Sequence, residues 1–196
     1  MSRETRQMCT ASTEFTAKRD DRTNTLSIEG YFAVFDSVYD MGQGLSESIA
    51  QGAFDNTISD DIRALINHDS TLVLGRTKAG TLQLRTDSHG LWGHIDINPN
   101  DTDAMNLYNR VQRGDVDQCS FGFDIVNEET DFREDGSVHW TIKEVKLYEV
   151  SPCTFPAYEE TNIAARTKER AELIKHRNEA WKEKMLKKLK GENTNA

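Results

Sequence analysis

The opening third of the chain alternates apolar and polar positions. "STEFTAKRDDRTNTLSIEGYFAVFD" (12 to 36) predicts two strands joined by a polar turn at Asp20 to Asn24, with an apolar run ending at Phe35. A loop rich in Gly, Ser and Asp follows. In "ESIAQGAFDNTISDDIRALINHD" (47 to 69), Ile49, Phe54, Ile58, Ile62 and Leu65 recur at intervals that predict short helices. The period then shortens. "TLVLGRT", "TLQLRTD" and "LWGHIDINP" predict three strands separated by Lys-Ala-Gly and Ser-His-Gly turns. Asp101 or Thr102 can cap a helix that carries Met105, Leu107, Tyr108 and Val111 and stops at Gly114. Beyond it, "QCSFGFDIVNEE" and "SVHWTIKEVKLYEVSPCTF" predict three more strands around a charged turn ending in Asp135-Gly136.

From Asn162 the pattern changes. "NIAARTKERAELIKHRNEAWKEKMLKKLK" lacks Gly and Pro and is rich in helix formers, with Leu173, Ile174, Trp181, Met185, Leu186 and Leu189 as an apolar stripe. It predicts one long helix or two segments, packed on the body or standing as a separable tail. Seven or eight short strands without a strand-helix rhythm predict an α+β, mainly β fold: a largely antiparallel barrel with peripheral helices. The organisation expected is a flexible N-terminus over 1–13, a barrel domain over 14–165 and a basic helical tail over 166–196.

Charge and composition narrow the function classes. The chain of 196 residues carries 24 Lys plus Arg against 33 Asp plus Glu, a formal charge of -9. This argues against a nucleic-acid or anionic-membrane binder, which needs a basic field. No stretch reaches the ~20 apolar residues of a spanning helix, and the N-terminal residues lack the apolar middle of a secretion signal. A soluble intracellular protein is expected. Cys9, Cys119 and Cys153 include no C-x-x-C pair, so neither a disulfide framework nor a structural zinc site is suggested.

Three residues are candidates for chemistry. His68 stands between Asn67 and Asp69 at the end of an apolar run, either as a core-edge filler or as half of a reactive pair. Ser120, in "DQCSFGFD", begins a strand next to an aromatic-Gly-aromatic sequence, where Gly122 lets backbone come close to a ligand. A nucleophilic serine needs a base in reach and N–H groups aimed at the oxyanion. Alternation puts Glu149 on one face with Leu147 and Ser151, pointing it toward the core or a cleft, unless it pairs with a nearby lysine. His89 and His94 flank "GLWG"; a metal-dependent hydrolase would combine His68, His89 or His94 with Asp69 or Asp96, and the sequence announces no such ligand set. His139 and His176 read as surface positions.

Taken together, "ESIAQGAF" (47 to 54), "NHDSTLVLGRT" (67 to 77) with "DSHGLWGHIDI" (87 to 97), and "QCSFGFDI" (118 to 125) followed by "LYEVSPCTFPAY" (147 to 158) resemble the prohead, or capsid maturation, proteases of tailed phages. The likeness covers roughly residues 14 to 165. It implies the fold of the herpesvirus assemblins, a seven-stranded, largely antiparallel barrel with surrounding helices. It also implies a serine endopeptidase without cofactor or metal, with His68 as general base, Ser120 as nucleophile and Glu149 where assemblins use a second histidine. Backbone N–H groups of Phe121 or Gly122 are oxyanion candidates.

The implied role is cleavage of the scaffold segment of the major capsid protein, and of the chain's own tail, inside the immature prohead in the host cytoplasm. Self-association as a dimer is a further expectation; nucleic acid and membrane are not expected partners. The alternative is a non-catalytic assembly or scaffold-binding protein on the same fold, since fold alone does not establish activity.

Overall fold

The structure is a computed structural model and describes residues 6–10, 15–133, 135–155 and 160–189. It divides into two compact units, Met1–Tyr158 and Glu159–Ala196.

Strand β1 (Arg6–Thr10) falls in the polar segment that the pattern leaves unassigned. The hairpin of β2 (Thr16–Asp20) and β3 (Thr25–Val34) stands where alternation places it, with Asn24 in the left-handed region at φ 55 closing the turn. β4 (Tyr39–Gly42) and β5 (Leu45–Ile49) form a second hairpin inside the expected loop. β6 (Arg63–Ile66), β7 (Asp69–Arg76), β8 (Leu82–Thr86) and β9 (Gly90–Ile97) follow, and then helix α1 (Thr102–Arg113). The α1 ends are those expected. The Asp101 carboxylate accepts from the N–H groups of Asp103 and Ala104, and Gly114 at φ 83 ends the helix. β10 (Gln118–Phe132) and β11 (Val138–Cys153) complete the strands of the first unit.

Two expectations are corrected. Residues 47–69 form no helix. β5 and β6 both run parallel to β11 along one edge, β5 beside Val138–Ile142 and β6 beside Glu149 and Val150. The chain between them is laid along β11 as turns. Ala50 N–H donates to Ile142 O, Val145 N–H to Ala53 O, and Leu147 N–H to the Thr57 hydroxyl. A strand of 16 residues offers an edge long enough for both neighbours, so sheet pairing overrides a weak helical period. The second correction concerns the C-terminal strands, which are two long ones rather than three short.

The strands assemble into a seven-stranded sheet, ordered β1-β10-β11-β5-β4 with β6 and β7 joined to β11 through β6, and a four-stranded antiparallel sheet ordered β2-β3-β9-β8. The pairings describe two sheets and close neither into a barrel. One core cluster draws on both, with Phe15, Ile28 and Phe32 from one side and Phe121, Phe123, Leu147 and Val150 from the other, together with Leu107, Tyr108 and Val111 of α1. Burying each large side chain contributes about 1.5–3 kcal/mol. The Phe54 and Phe121 rings meet edge to face with centroids 5.6 Å apart.

The second unit holds α2 (Glu160–Leu189), a single helix of 30 residues. Arg166–Glu169 and Lys187–Glu183 pair along it, and Trp181, Met185 and Leu186 are exposed. Among the described residues no helix is long and apolar enough to cross a membrane. The Pro156 to Tyr158 end of the last motif and the residues after 189 lie outside the described residues.

Candidate active site

His68 is the second central residue of the two-residue turn that joins β6 to β7. Asn67 and His68 both have positive φ, 50 and 61, the backbone of a type I′ hairpin turn. Asn accepts this conformation readily and His less so; such backbone persists only where the surroundings hold it. Here the ties run to the end of β11. Asn67 N–H donates to Pro152 O at 3.1 Å, the Asn67 side-chain oxygen accepts from Thr154 N–H at 2.9 Å, and His68 N–H donates to the Ser151 hydroxyl at 3.3 Å. The turn is therefore held at three points against the end of β11 and the residue after it.

The histidine faces a glutamate. His68 Nδ1 donates to Glu149 Oε1 at 2.7 Å, and Ser151 Oγ donates to Glu149 Oε2 at 2.5 Å. The His68 and Glu149 side chains are only 10% and 12% exposed, so water screens this pair weakly. The bond to Nδ1 fixes the tautomer, leaving Nε2 as the nitrogen able to accept a proton. Nε2 is buried and has no hydrogen-bond partner among the described residues.

A bulge decides which way Glu149 points. Gly122 of β10 lies opposite Glu149, whereas Phe123, one residue on, lies opposite Leu147, so Tyr148 is an extra residue in β11. Simple alternation would put Leu147 and Glu149 on one face. The bulge separates them, sending Leu147 into the core beside Phe123 and Glu149 to the other face, over Gly122. A Cβ at Gly122 would lie 2.4 Å from Glu149 Oε1, so glycine is required for the carboxylate to lie where it does.

Ser120 precedes Gly122 by two residues and lies opposite Ser151, itself two residues beyond Glu149. Across an antiparallel ladder these four positions share one face. The fold thus brings Ser120, Glu149 and Ser151 to one side of β10 and β11; His68 is bonded to Glu149, and its Nε2 makes no hydrogen bond to Ser120. Ser120 is fully buried. Phe121 points into the core, and residues 119–123 of β10 pair with β1 on one edge and β11 on the other.

Ser151 is the member that the sequence reading did not single out. Its one sequence signal is its place two residues after Glu149 on a strand.

The remaining histidines lie elsewhere. His94, on the four-stranded sheet, has Glu29 and Asp96 at 3.0 Å from its two nitrogens, and His89 packs against Tyr31. His139 is not a surface position as expected. It is buried in β11 between the Ser46 and Ser48 hydroxyls, at 2.9 and 3.0 Å, and burial, with Arg133 nearby, holds its imidazole below the usual histidine range. Asp69 bonds Thr71 rather than a histidine. Among the described residues no three His, Cys, Asp or Glu side chains are grouped to hold a metal ion.

Comparison with known proteins adds an independent finding. The profile of the caudovirus prohead serine proteases matches residues 13–176. The prohead protease of Enterobacteria phage HK97 is 30% identical over 141 residues, which are 70% of this chain and 58% of that protein; the chain thus spans less than two thirds of this relative's length. The bacteriophage T4 capsid assembly protease superposes with a TM-score of 0.45 at 9% identity, covering 76% of this chain and 98% of that one. With a profile matched along most of its length, the chain belongs to the caudovirus prohead serine protease family.

Proposed function

We propose that the chain is a serine endopeptidase of prohead maturation, in which His68, Ser120 and Glu149 form the catalytic triad. The observation that carries this reading is the His68–Glu149 hydrogen bond, which leaves Nε2 unpaired, on the same sheet face as Ser120. On this mechanism His68 Nε2 takes the Ser120 hydroxyl proton as Oγ attacks the scissile carbonyl carbon. The tetrahedral intermediate collapses, the C–N bond breaks, and the imidazolium returns the proton to the leaving amine. Water then repeats the sequence on the acyl ester and frees Ser120. Glu149 keeps the tautomer and stabilises the imidazolium.

The oxyanion donor in this proposal is the N–H of Phe121 or Gly122. Successive N–H groups of a strand point to opposite edges, so one of the two faces β1. β1 is the terminal strand of its sheet, and the N–H facing it is the one that can be released to a substrate.

The substrate proposed is the scaffold segment of the major capsid protein, met inside the immature prohead in the host cell, with the chain's own tail as a second target and a dimer as the working unit. Residues 14–165 would act as the protease domain. Residues 166–196 would act as the basic helical tail. Two ties between the sheets support the barrel as the finer description of the domain: Asp36 N–H donates to Ile49 O at 2.8 Å, and the Cys119 thiol meets Tyr31 O at 2.9 Å.

The test is to express the chain and its Ser120→Ala variant and follow intact masses over time, each alone and with the capsid protein. The expected outcome is that the wild type trims itself or the capsid protein and the variant does neither. Equal trimming by both would overturn the serine assignment. No trimming by either would favour a non-catalytic assembly protein.

A further inference from the structure

Across the seven-stranded sheet the face that carries Ser120 and Glu149 continues onto β6 and β7. Arg63 lies opposite Glu149 and therefore shares its face; Leu65, two residues on, shares it too, and Val73 lies opposite Leu65. A cleft of about 310 Å³ opens there, with Glu149 as one wall and Leu65, Val73, Tyr148, Arg63, Asp61 and Ser70 around it.

The charged groups of its rim are already paired with one another. Arg76 holds the Asp61 carboxylate with two hydrogen bonds, 2.7 and 2.5 Å, and Arg63 donates to Asp61 O at 2.6 Å while its other nitrogen stands 3.4 Å from the carboxylate. These contacts hold the Asp61 carboxyl down to about 2, so it stays charged and paired. Apart from the Ser70 hydroxyl and the remaining Arg63 N–H groups, what is left to meet a ligand is apolar: Val73 is 48% exposed although it sits on a strand at the mouth of a cleft.

We propose that this cleft is a specificity subsite that takes an apolar side chain of the peptide substrate. The proposal rests on the protease reading above. β6 and β7 are the second and third strands from β10, so at about 4.8 Å per strand the cleft lies roughly 10–14 Å from Ser120. An extended peptide advancing about 3.3 Å per residue spans that distance in about three or four residues. The subsite therefore reads a leucine, isoleucine, methionine, valine or phenylalanine that far from the scissile bond. Desolvation makes the choice: a charged or amide side chain placed against Leu65 and Val73 loses water, while the charged groups beside it already hold partners, Asp61 with the two arginines and Glu149 with His68 and Ser151.

The experiment uses the full chain and a peptide library made by digesting a denatured bacterial lysate, with new termini mapped by mass spectrometry. Only cleavages absent with Ser120→Ala are counted. The wild type is expected to show apolar enrichment at a single position about three or four residues from the cut. Val73→Asp, a change at a half-exposed site, is expected to lower that enrichment about tenfold, the low end for a mismatched apolar pocket, and to admit Lys or Arg there. Val126→Asp, an equivalent change at another exposed valine, is expected to leave the profile as it is.

Cleavage by the wild type with no such position, or with an enrichment that Val73→Asp leaves intact, overturns the subsite while the protease reading stands. Absence of any Ser120-dependent cleavage in the library and in the capsid protein overturns both.

Discussion

Among the described residues two histidines hydrogen-bond a glutamate through Nδ1, and they differ in what the other nitrogen does. His94 lies between Glu29 at 3.0 Å and Asp96 at 3.0 Å, so both ring nitrogens are spent on carboxylates. His68 meets Glu149 at 2.7 Å and leaves Nε2 buried without a partner. The backbones differ as well: His94 is an ordinary residue in the middle of β9, whereas His68 sits at positive φ in a turn tied at three points to residues 151, 152 and 154. A ring bonded on both sides ties a sheet together. A ring bonded on one side, in a backbone held at a cost, keeps the free nitrogen that the proposed mechanism needs.

The largest effect that can break this comparison is loss of the proposed base. On the proposed mechanism His68→Ala and Ser120→Ala each lower kcat by about ten-thousand-fold or more, and the double variant is no worse than either, as expected of groups that act as one unit. His94→Ala leaves kcat unchanged and lowers only thermal stability. Cleavage assays on the four variants check this, and an equal kcat loss in His94→Ala would erase the distinction.

Next in size is a substitution that touches neither His68 nor Ser120. Gly122→Ala places a methyl 2.4 Å from Glu149 Oε1 and 3.1 Å from its carboxyl carbon. The carboxylate must shift and the Nδ1 bond with it, at an expected loss of about a hundredfold in kcat for a displacement near 1 Å. Circular dichroism and melting separate this from unfolding. A folded variant with full activity would show that Glu149 does not orient the imidazole.

Ser151→Ala sharpens the same point more gently. It removes one charge-assisted hydrogen bond to Glu149 and the acceptor of His68 N–H. Such a bond contributes about 1.5–3 kcal/mol, and each 1.4 kcal/mol of barrier is tenfold. A fall in kcat of roughly ten- to a hundredfold with KM unchanged is expected. Measurable activity in Ser151→Ala beside none in Ser120→Ala would separate a positioning hydroxyl from a nucleophile.

Much of this was legible in the sequence. Strict alternation announced the β2–β3 hairpin, and Asp101 and Gly114 announced both ends of α1, because caps and alternation are local signals. The candidate His68, Ser120 and Glu149 were readable by residue type, and their motifs by resemblance. What was not readable is set by distant pairing. The turns of 50–62 copy a helical period only because they follow β11, and β4 and β5 hide in a Gly-rich loop until β11 supplies an edge. The face of Glu149 could not be read either. Alternation groups it with Leu147, and only the bulge at Tyr148, visible once β10 is laid beside β11, turns it toward His68. Ser151 follows from the same register.

The smallest effect separates the two glutamates by pH. At Glu29 burial alone would raise the carboxyl above its ordinary value of 4.5, but hydrogen bonds from Lys18 and His94 outweigh it and hold the group below that value. A carboxylate with a depressed folded pKa contributes stability that is present above the unfolded value and is lost as pH falls through the folded one. The melting temperature of Glu29→Gln should therefore fall below that of the wild type at neutral pH, and the gap should close as pH drops below 4.5. Activity at neutral pH should not change. Glu149→Gln should show the reverse pattern, a collapse in kcat at neutral pH that no shift in melting temperature accounts for. A Glu29→Gln gap that stays open well below pH 4.5 would mean that the side chain contributes through packing rather than charge, and the four-stranded sheet would then be tied by shape and not by its carboxylate–imidazole–carboxylate chain.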